Sequence, residues 1–148
     1  MGRLAAEHGL HLRAHVEQFA THRSVPVALA AGARSVDHLA CLHPDDVAPL
    51  AAAECAAVLL PGAELMGAEE VAPGRALADA GAICVLATDC NPGTSPLQSL
   101  PLIAGLAVRR YGWSARLPGS SEPSSSDSPS THAGFSVAAS SASRTLQP

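Results

Sequence analysis

Residues 82–96 read AICVLATDCNPGTSP, an apolar run followed by a cluster of turn-forming residues. Its apolar start predicts a short buried strand, and Asp89 comes directly after that strand. The Asn-Pro-Gly turn that follows suits neither a strand nor a helix, whereas Thr94 or Ser95 could cap a helix whose first residue is Pro96. The predicted order is strand, acid, tight loop and helix.

The loop after Asp89 is a candidate anion site. Free backbone N–H groups around Asn91, Gly93 and Thr94 would lie at the positive end of the following helix, where a substrate carboxylate is stabilised. The Asp89 carboxylate could bind a cation. It could also accept hydrogen bonds within the turn, as acidic residues after strands often do. This stretch alone leaves both interpretations of Asp89 open.

Composition divides the chain of 148 residues into two parts. Residues 1–113 are apolar and alanine-rich, which allows one domain with a hydrophobic core. Residues 114–148 consist mostly of Ser, Ala, Pro and Thr, and too few large apolar groups are present to repay the entropy of ordering. The sequence therefore predicts a folded domain followed by a disordered low-complexity tail.

Charge and cysteine content restrict the kinds of partner. The formal net charge is −4 and no Lys/Arg cluster follows a predicted face, so no nucleic acid or membrane surface is expected as a partner. No apolar run approaches the ~20 residues of a membrane span, and no secretion signal begins the chain. The four cysteines lack metal-site spacing and are interpreted as reduced, mostly buried thiols. We expect a cytoplasmic protein that binds a small molecule.

Strand and helix patterns alternate four times. Short links between them predict parallel strands joined by right-handed crossovers, which is an α/β architecture. The predicted strands are residues 10–14, 35–39, 55–60 and the apolar run between Gly81 and Asp89, and the predicted helices are residues 25–31, 44–54, 73–80 and 97–111.

Three of these strands end in a potential metal ligand, namely His15, His38 or Asp89. The carboxyl ends of parallel strands open onto one face, which is where the active site lies in β/α barrels. A single histidine is more often structural or on the surface, but three such residues on one face form a candidate metal site.

Four segments resemble the second half of imidazolonepropionase, a metal-dependent amidohydrolase of histidine breakdown. They are HVEQ at 15–18, SVDHL at 35–39, VLLPGA at 58–63 and ATDCNPGTS at 87–95. The resemblance covers about residues 1–113. It implies a partial (β/α)8 TIM-type barrel, in which the four units here correspond to strands five to eight.

The resemblance also implies roles for individual residues. His15 and Asp89 match ligands of one divalent metal ion, zinc or iron, and His38 matches a catalytic histidine near the metal and the substrate. The matching substrate-binding positions, of which the last three hold the propionate, are Gln18, Asn91, Gly93 and Thr94.

The implied reaction opens the ring of 4-imidazolone-5-propanoate by hydrolysis of its cyclic amide C–N bond, and the product is N-formimidoyl-L-glutamate. The metal would lower the pKa of a bound water toward ~7. Asp89 would take the proton of that water and pass it to the leaving nitrogen, while His38 would polarise the carbonyl group.

The sequence departs from the family in its first metal pair. The His-x-His after strand one has no counterpart, because His8, His11 and His22 lack its spacing. We therefore expect an incomplete fragment with weak metal affinity and an open inner face, which a second copy in a homo-oligomer or another chain would cover. The alternatives are an inactive half-barrel that only associates with other chains, and another amidohydrolase such as a nucleobase deaminase. A carboxylate-binding loop argues against the deaminase.

Overall fold

A computed structural model describes residues 2–67 and 70–113, together with the backbone of residues 136 and 137. Its centre is a parallel sheet whose strands follow one another in chain order. The strands are β1 (Leu12–Val16), β2 (Ala33–His38), β3 (Ala56–Leu59), β4 (Ile83–Leu86) and the two-residue β5 (Ser136–Val137). The predicted disorder of residues 114–148 otherwise concerns positions outside the described residues.

One helix precedes β1, and the others lie between and after the first four strands. They are α1 (Gly2–Glu7), α2 (Ser24–Ala30), α3 (Val47–Ala52) preceded by a 3-10 turn (Pro44–Asp46), α4 (Pro61–Gly67), α5 (Gly74–Asp79) and α6 (Leu100–Tyr111). In the part of the chain that the structure describes, none of them is long and apolar enough to cross a membrane.

The sheet has two different faces because side chains alternate along a strand. Ala57, Leu59 and Leu86 join the main hydrophobic core beneath the helices. Val58 lies on the opposite face in a smaller cluster, against the partly buried Val85. A parallel sheet in sequential order with helices along one face is the arrangement of a β/α barrel segment, so the predicted α/β partial barrel is confirmed.

Helix α4 was not predicted, because a Pro-Gly dipeptide such as Pro61-Gly62 ordinarily marks a turn after a strand. Proline is well suited to a first helical position, where its missing N–H costs nothing. A Cβ at Gly62 would lie 2.9 Å from Cδ1 of Ile103, so the glycine allows α4 to approach α6 closely. The same dipeptide therefore ends the strand and begins a helix.

The cysteines differ in burial, and this leads to a prediction. All four are free; Cys84 is buried and Cys90 is exposed. Burial raises the pKa of the Cys84 thiol to about 11, so little reactive thiolate forms near neutral pH. In a short iodoacetamide pulse followed by mass spectrometry, we expect Cys90 to be alkylated well before Cys84. In denaturant the two should react alike, and equal rates in the folded chain would contradict the burial of β4.

Candidate functional site

The histidines at the ends of β1 and β2 lie against each other. Val16 pairs with His38 in the β1–β2 register, and the ring centroids of His15 and His38 are 4.0 Å apart at an interplanar angle of 59°. His15 is exposed, whereas His38 is buried. The structure thus brings together two of the three predicted ligands.

An unusual backbone conformation directs His38 toward His15. By strand alternation His38 would share the core face of Val36, but its φ of +79° is left-handed and is followed by +65° at Leu39. Such angles are rare outside glycine and cost about 1–3 kcal/mol each. Non-glycine residues with left-handed φ also follow β1 and β4, at Glu17 and Asp89, so three strands end in this way.

The surroundings of His38 favour its neutral form. Burial lowers the pKa of His38, and the neighbouring His15 lowers it further, while the negative charges of Asp89 and Asp37 oppose the shift. The net result is a pKa below the usual histidine value. A neutral imidazole can donate a hydrogen bond from one nitrogen and accept or bind a ligand with the other.

Gln18 contacts His15 directly. Oε1 of Gln18 lies 2.7 Å from Nε2 of His15, so the tautomer that carries its proton on Nε2 donates to the amide oxygen. In that tautomer Nδ1 is the ring nitrogen left with a lone pair. The predicted substrate-contacting position therefore lies beside the predicted metal ligand, and it occupies one of the two ring nitrogens.

Asp89 follows β4 and is half-buried, with a left-handed φ of +49°. Its carbonyl oxygen accepts a hydrogen bond of 2.8 Å from Nδ2 of Asn91. Its carboxylate is close enough to His38 to influence the pKa of that imidazole. The backbone of Asp89 thus takes part in the turn, while its charge acts on His38.

The described residues do not by themselves fit a metal ion. Across residues 2–67 and 70–113, no group of three or more His, Cys, Asp and Glu side chains is arranged to hold one. His15 and His38 meet, but Asp89 does not complete a cluster with them. A catalytic zinc site needs about three protein ligands, so further donors would be required.

The loop after Asp89 differs from its prediction. Oδ1 of Asn91 accepts hydrogen bonds from the backbone N–H groups of Gly93 and Thr94, at 2.9 and 2.7 Å. The backbone N–H of Asn91 donates to the carbonyl of Ser95. The expectation that these three N–H groups are free is therefore wrong, because the asparagine side chain forms an Asx turn with its own loop.

The start of the last helix was also predicted wrongly. α6 begins at Leu100, and Oγ of Ser99 accepts the capping hydrogen bond from the N–H of Leu102. Ser95 does not cap it, since its buried hydroxyl donates to the carbonyl of Thr88 at 2.7 Å. Thr94 bonds within the Asx turn. The loop therefore lies several residues before the positive end of the helix.

No protein-family model matches the chain. Imidazolonepropionases from Rubrobacter xylanophilus, Herpetosiphon aurantiacus and Deinococcus radiodurans are 47%, 43% and 46% identical over 109, 102 and 105 residues. These alignments cover 74%, 68% and 71% of this chain, and 26%, 24% and 26% of the respective relatives. The chain thus spans about a quarter of the length of these curated relatives.

A solved adenosine deaminase from Xanthomonas campestris, with bound zinc, is 17% identical, with a TM-score of 0.49. That match covers 63% of this chain and 25% of the deaminase chain. The matches to imidazolonepropionases confirm the resemblance that the sequence predicted. Over the part that aligns, the chain is similar to imidazolonepropionases.

Proposed function

We propose that this chain contributes part of an active site that hydrolyses 4-imidazolone-5-propanoate to N-formimidoyl-L-glutamate. The observation that carries the proposal is the identity of 43–47% to imidazolonepropionases over 68–74% of the chain. The contact between His15 and His38 at the carboxyl ends of adjacent strands supports it, because this is where β/α barrels perform their chemistry. The remainder of the site would come from segments that correspond to the parts of these relatives outside the alignment.

The proposed chemistry uses two side chains of this site. Asp89 takes a proton from the attacking water and delivers it to the ring nitrogen as the C–N bond breaks. The neutral imidazole of His38 donates a hydrogen bond to the carbonyl oxygen as negative charge develops on it. The lowered pKa of His38 supports this role, since the neutral form has an N–H to donate and adds no positive charge beside His15.

The substrate propionate is proposed to bind at the loop of Asn91, Gly93 and Thr94. Because Oδ1 of Asn91 accepts from the Gly93 and Thr94 N–H groups, the propionate would have to replace that amide oxygen as acceptor. An ionised carboxylate is the stronger acceptor, so the exchange is chemically reasonable. Gln18 is proposed to contact the imidazolone ring from its position beside His15.

The divalent metal implied by the family, zinc or iron, is proposed to take His15 and Asp89 as two of its ligands. The described residues lack a third partner for them. Nε2 of His15 is also engaged by Gln18. Metal binding would therefore use Nδ1 of His15 or require Gln18 to turn away, and it would need donors from another segment.

Complementation tests the proposed activity. The purified chain would be assayed alone and after mixing with the part of the Rubrobacter xylanophilus enzyme that it does not align with, and ring opening would be followed by mass spectrometry of the product. We expect turnover in the mixture well above that of either component. A complex that forms without turnover would instead indicate a half-barrel that only associates with other chains.

A further inference from the structure

Glu17 has a buried carboxylate in a loop whose other residues are largely exposed. Its relative exposure is 3%, although it lies two residues after the exposed His15. Oε2 accepts the backbone N–H of His22 at 2.8 Å, and Oε1 accepts the backbone N–H and the hydroxyl of Ser24 at 2.7 and 2.5 Å. Three donors thus converge on one carboxylate, which ties the end of β1 to the start of α2.

The backbone of Glu17 is fixed as well. Its carbonyl accepts the N–H of Cys41 at 2.7 Å, and the carbonyl of Val16 accepts the N–H of Leu39 at 3.2 Å. Its own φ is +51°, a left-handed value that turns the chain sharply after β1. Such a conformation persists only where the surroundings enforce it. For Glu17, the surroundings are the loop after β2 and the start of α2.

This anchoring determines where the next residue, Gln18, can reach. Gln18 is half-buried, its side-chain oxygen contacts Nε2 of His15, and its carbonyl accepts a weak bond from the thiol of Cys41. If Glu17 lost its left-handed conformation, the backbone would no longer hold the Gln18 side chain within hydrogen-bonding distance of His15. The orientation of an imidazole in an active site depends on such a second hydrogen-bonded group.

We propose that Glu17 is a positioning residue, which holds the loop of residues 17–24 so that Gln18 fixes the orientation and tautomer of the His15 ring. The catalytic meaning of this role rests on the proposed function, because that proposal places His15 and Gln18 in the active site.

The charge state of Glu17 agrees with this role. Burial raises the pKa of its carboxyl group, but the hydrogen bonds from the Ser24 hydroxyl and amide and from the His22 amide outweigh burial, so the pKa lies below its ordinary value. The ionised form offers only acceptors, which matches the three donors. Glutamine at this position would place an NH2 donor against one of them.

Nuclear magnetic resonance of the His15 ring tests the proposal without any assay of turnover. Ring nitrogen signals would be recorded on the full chain at about pH 8, where an ordinary imidazole is neutral. They would be assigned by their loss in His15→Asn. Gln18→Ala shows the spectrum expected when the hydrogen bond is absent. In the unsubstituted chain we expect two well-separated nitrogen signals, as one dominant tautomer gives.

In Glu17→Gln we expect the two signals to move toward each other, as in Gln18→Ala, while the backbone amide spectrum stays dispersed. The exposed Glu54 provides the matched control, since Glu54→Gln makes the same chemical change and should leave the ring signals unaltered. Unchanged ring signals in a folded Glu17→Gln chain would overturn the proposal.

If Glu17→Gln fails to fold, Ser24→Ala serves as the second test. This variant removes only the hydroxyl, which is one of the three donors to Glu17. A partial movement of the His15 signals would support the proposal, and no movement would overturn it. Failure of the proposed function is a separate outcome. In that case the ring would respond to these variants, but the complemented chain would still not hydrolyse the imidazolone.

Discussion

Asp89→Asn is expected to lower turnover of the complemented chain by about 10²–10⁴-fold, the range contributed by general acid–base catalysis. The amide of asparagine has nearly the same size as the carboxylate but cannot accept and release the proton of the attacking water. Asparagine also tolerates the left-handed φ of +49° at this position, so the loop should keep its shape. The substitution therefore tests the carboxylate, both as proton carrier and as proposed metal ligand, without disturbing the fold.

The matched control for this substitution is Asp79→Asn, which makes the same change on the exposed end of α5. Asp79 contacts the guanidinium of Arg75 on its own helix, away from the histidine pair. Turnover should be close to that of the unsubstituted chain. If Asp89→Asn retained full turnover, the role proposed for Asp89 would be wrong.

Glu64→Ala is expected to destabilise the fold by about 3–5 kcal/mol, the usual cost of removing one partner of a buried ion pair. Glu64 lies on α4 and its side chain is 4% exposed. Oε1 accepts the hydroxyl of Tyr111 at 2.7 Å and the N–H of Ala72 at 3.2 Å, and Oε2 accepts Nε of Arg110 at 3.2 Å. Alanine would leave a buried hydroxyl and a largely buried guanidinium without this acceptor.

Urea unfolding measures this effect through the fluorescence of Trp113, the single tryptophan of the chain. Its ring lies 5.4 Å from the ring of Tyr111, so the signal comes from the region that Glu64 stabilises. Asp79→Ala, which breaks the exposed ion pair with Arg75, should shift the midpoint only slightly because solvent screens that pair. Equal shifts in the two variants would contradict the structural role of Glu64.

The alternation of strands and helices could be predicted because it depends on local signals. Apolar runs separated by glycine and proline located all four long strands to within a few residues, and Gly32 and Gly81 end their helices with left-handed φ values of +78° and +85°. The positions of His15 and His38 at strand ends followed from the same pattern. Their contact depends in addition on the left-handed φ of His38, which strand alternation does not predict.

The features that could not be predicted from the sequence are hydrogen bonds of polar side chains for which several partners are available. Asn91 uses its amide oxygen within its own loop, so N–H groups that looked available are occupied. Glu17 accepts hydrogen bonds from donors five and seven residues further along the chain, within an irregular loop. Glu64 depends on residues of α6 that lie more than forty positions away. The contacts of Asn91 and Glu17 depend on the shapes of their own loops, and those of Glu64 depend on tertiary packing.

Metal titration tests most directly the claim that this chain holds one part of a shared site. Zinc or iron(II) would be titrated into the chain alone, into its complex with the complementing segment, and into the same complex carrying Asp89→Ala. We expect no stoichiometric binding to the chain alone, one metal ion per complex, and loss of that ion in the Asp89 variant. Tight binding to the chain alone, or a complex whose metal is indifferent to Asp89→Ala, would contradict the account.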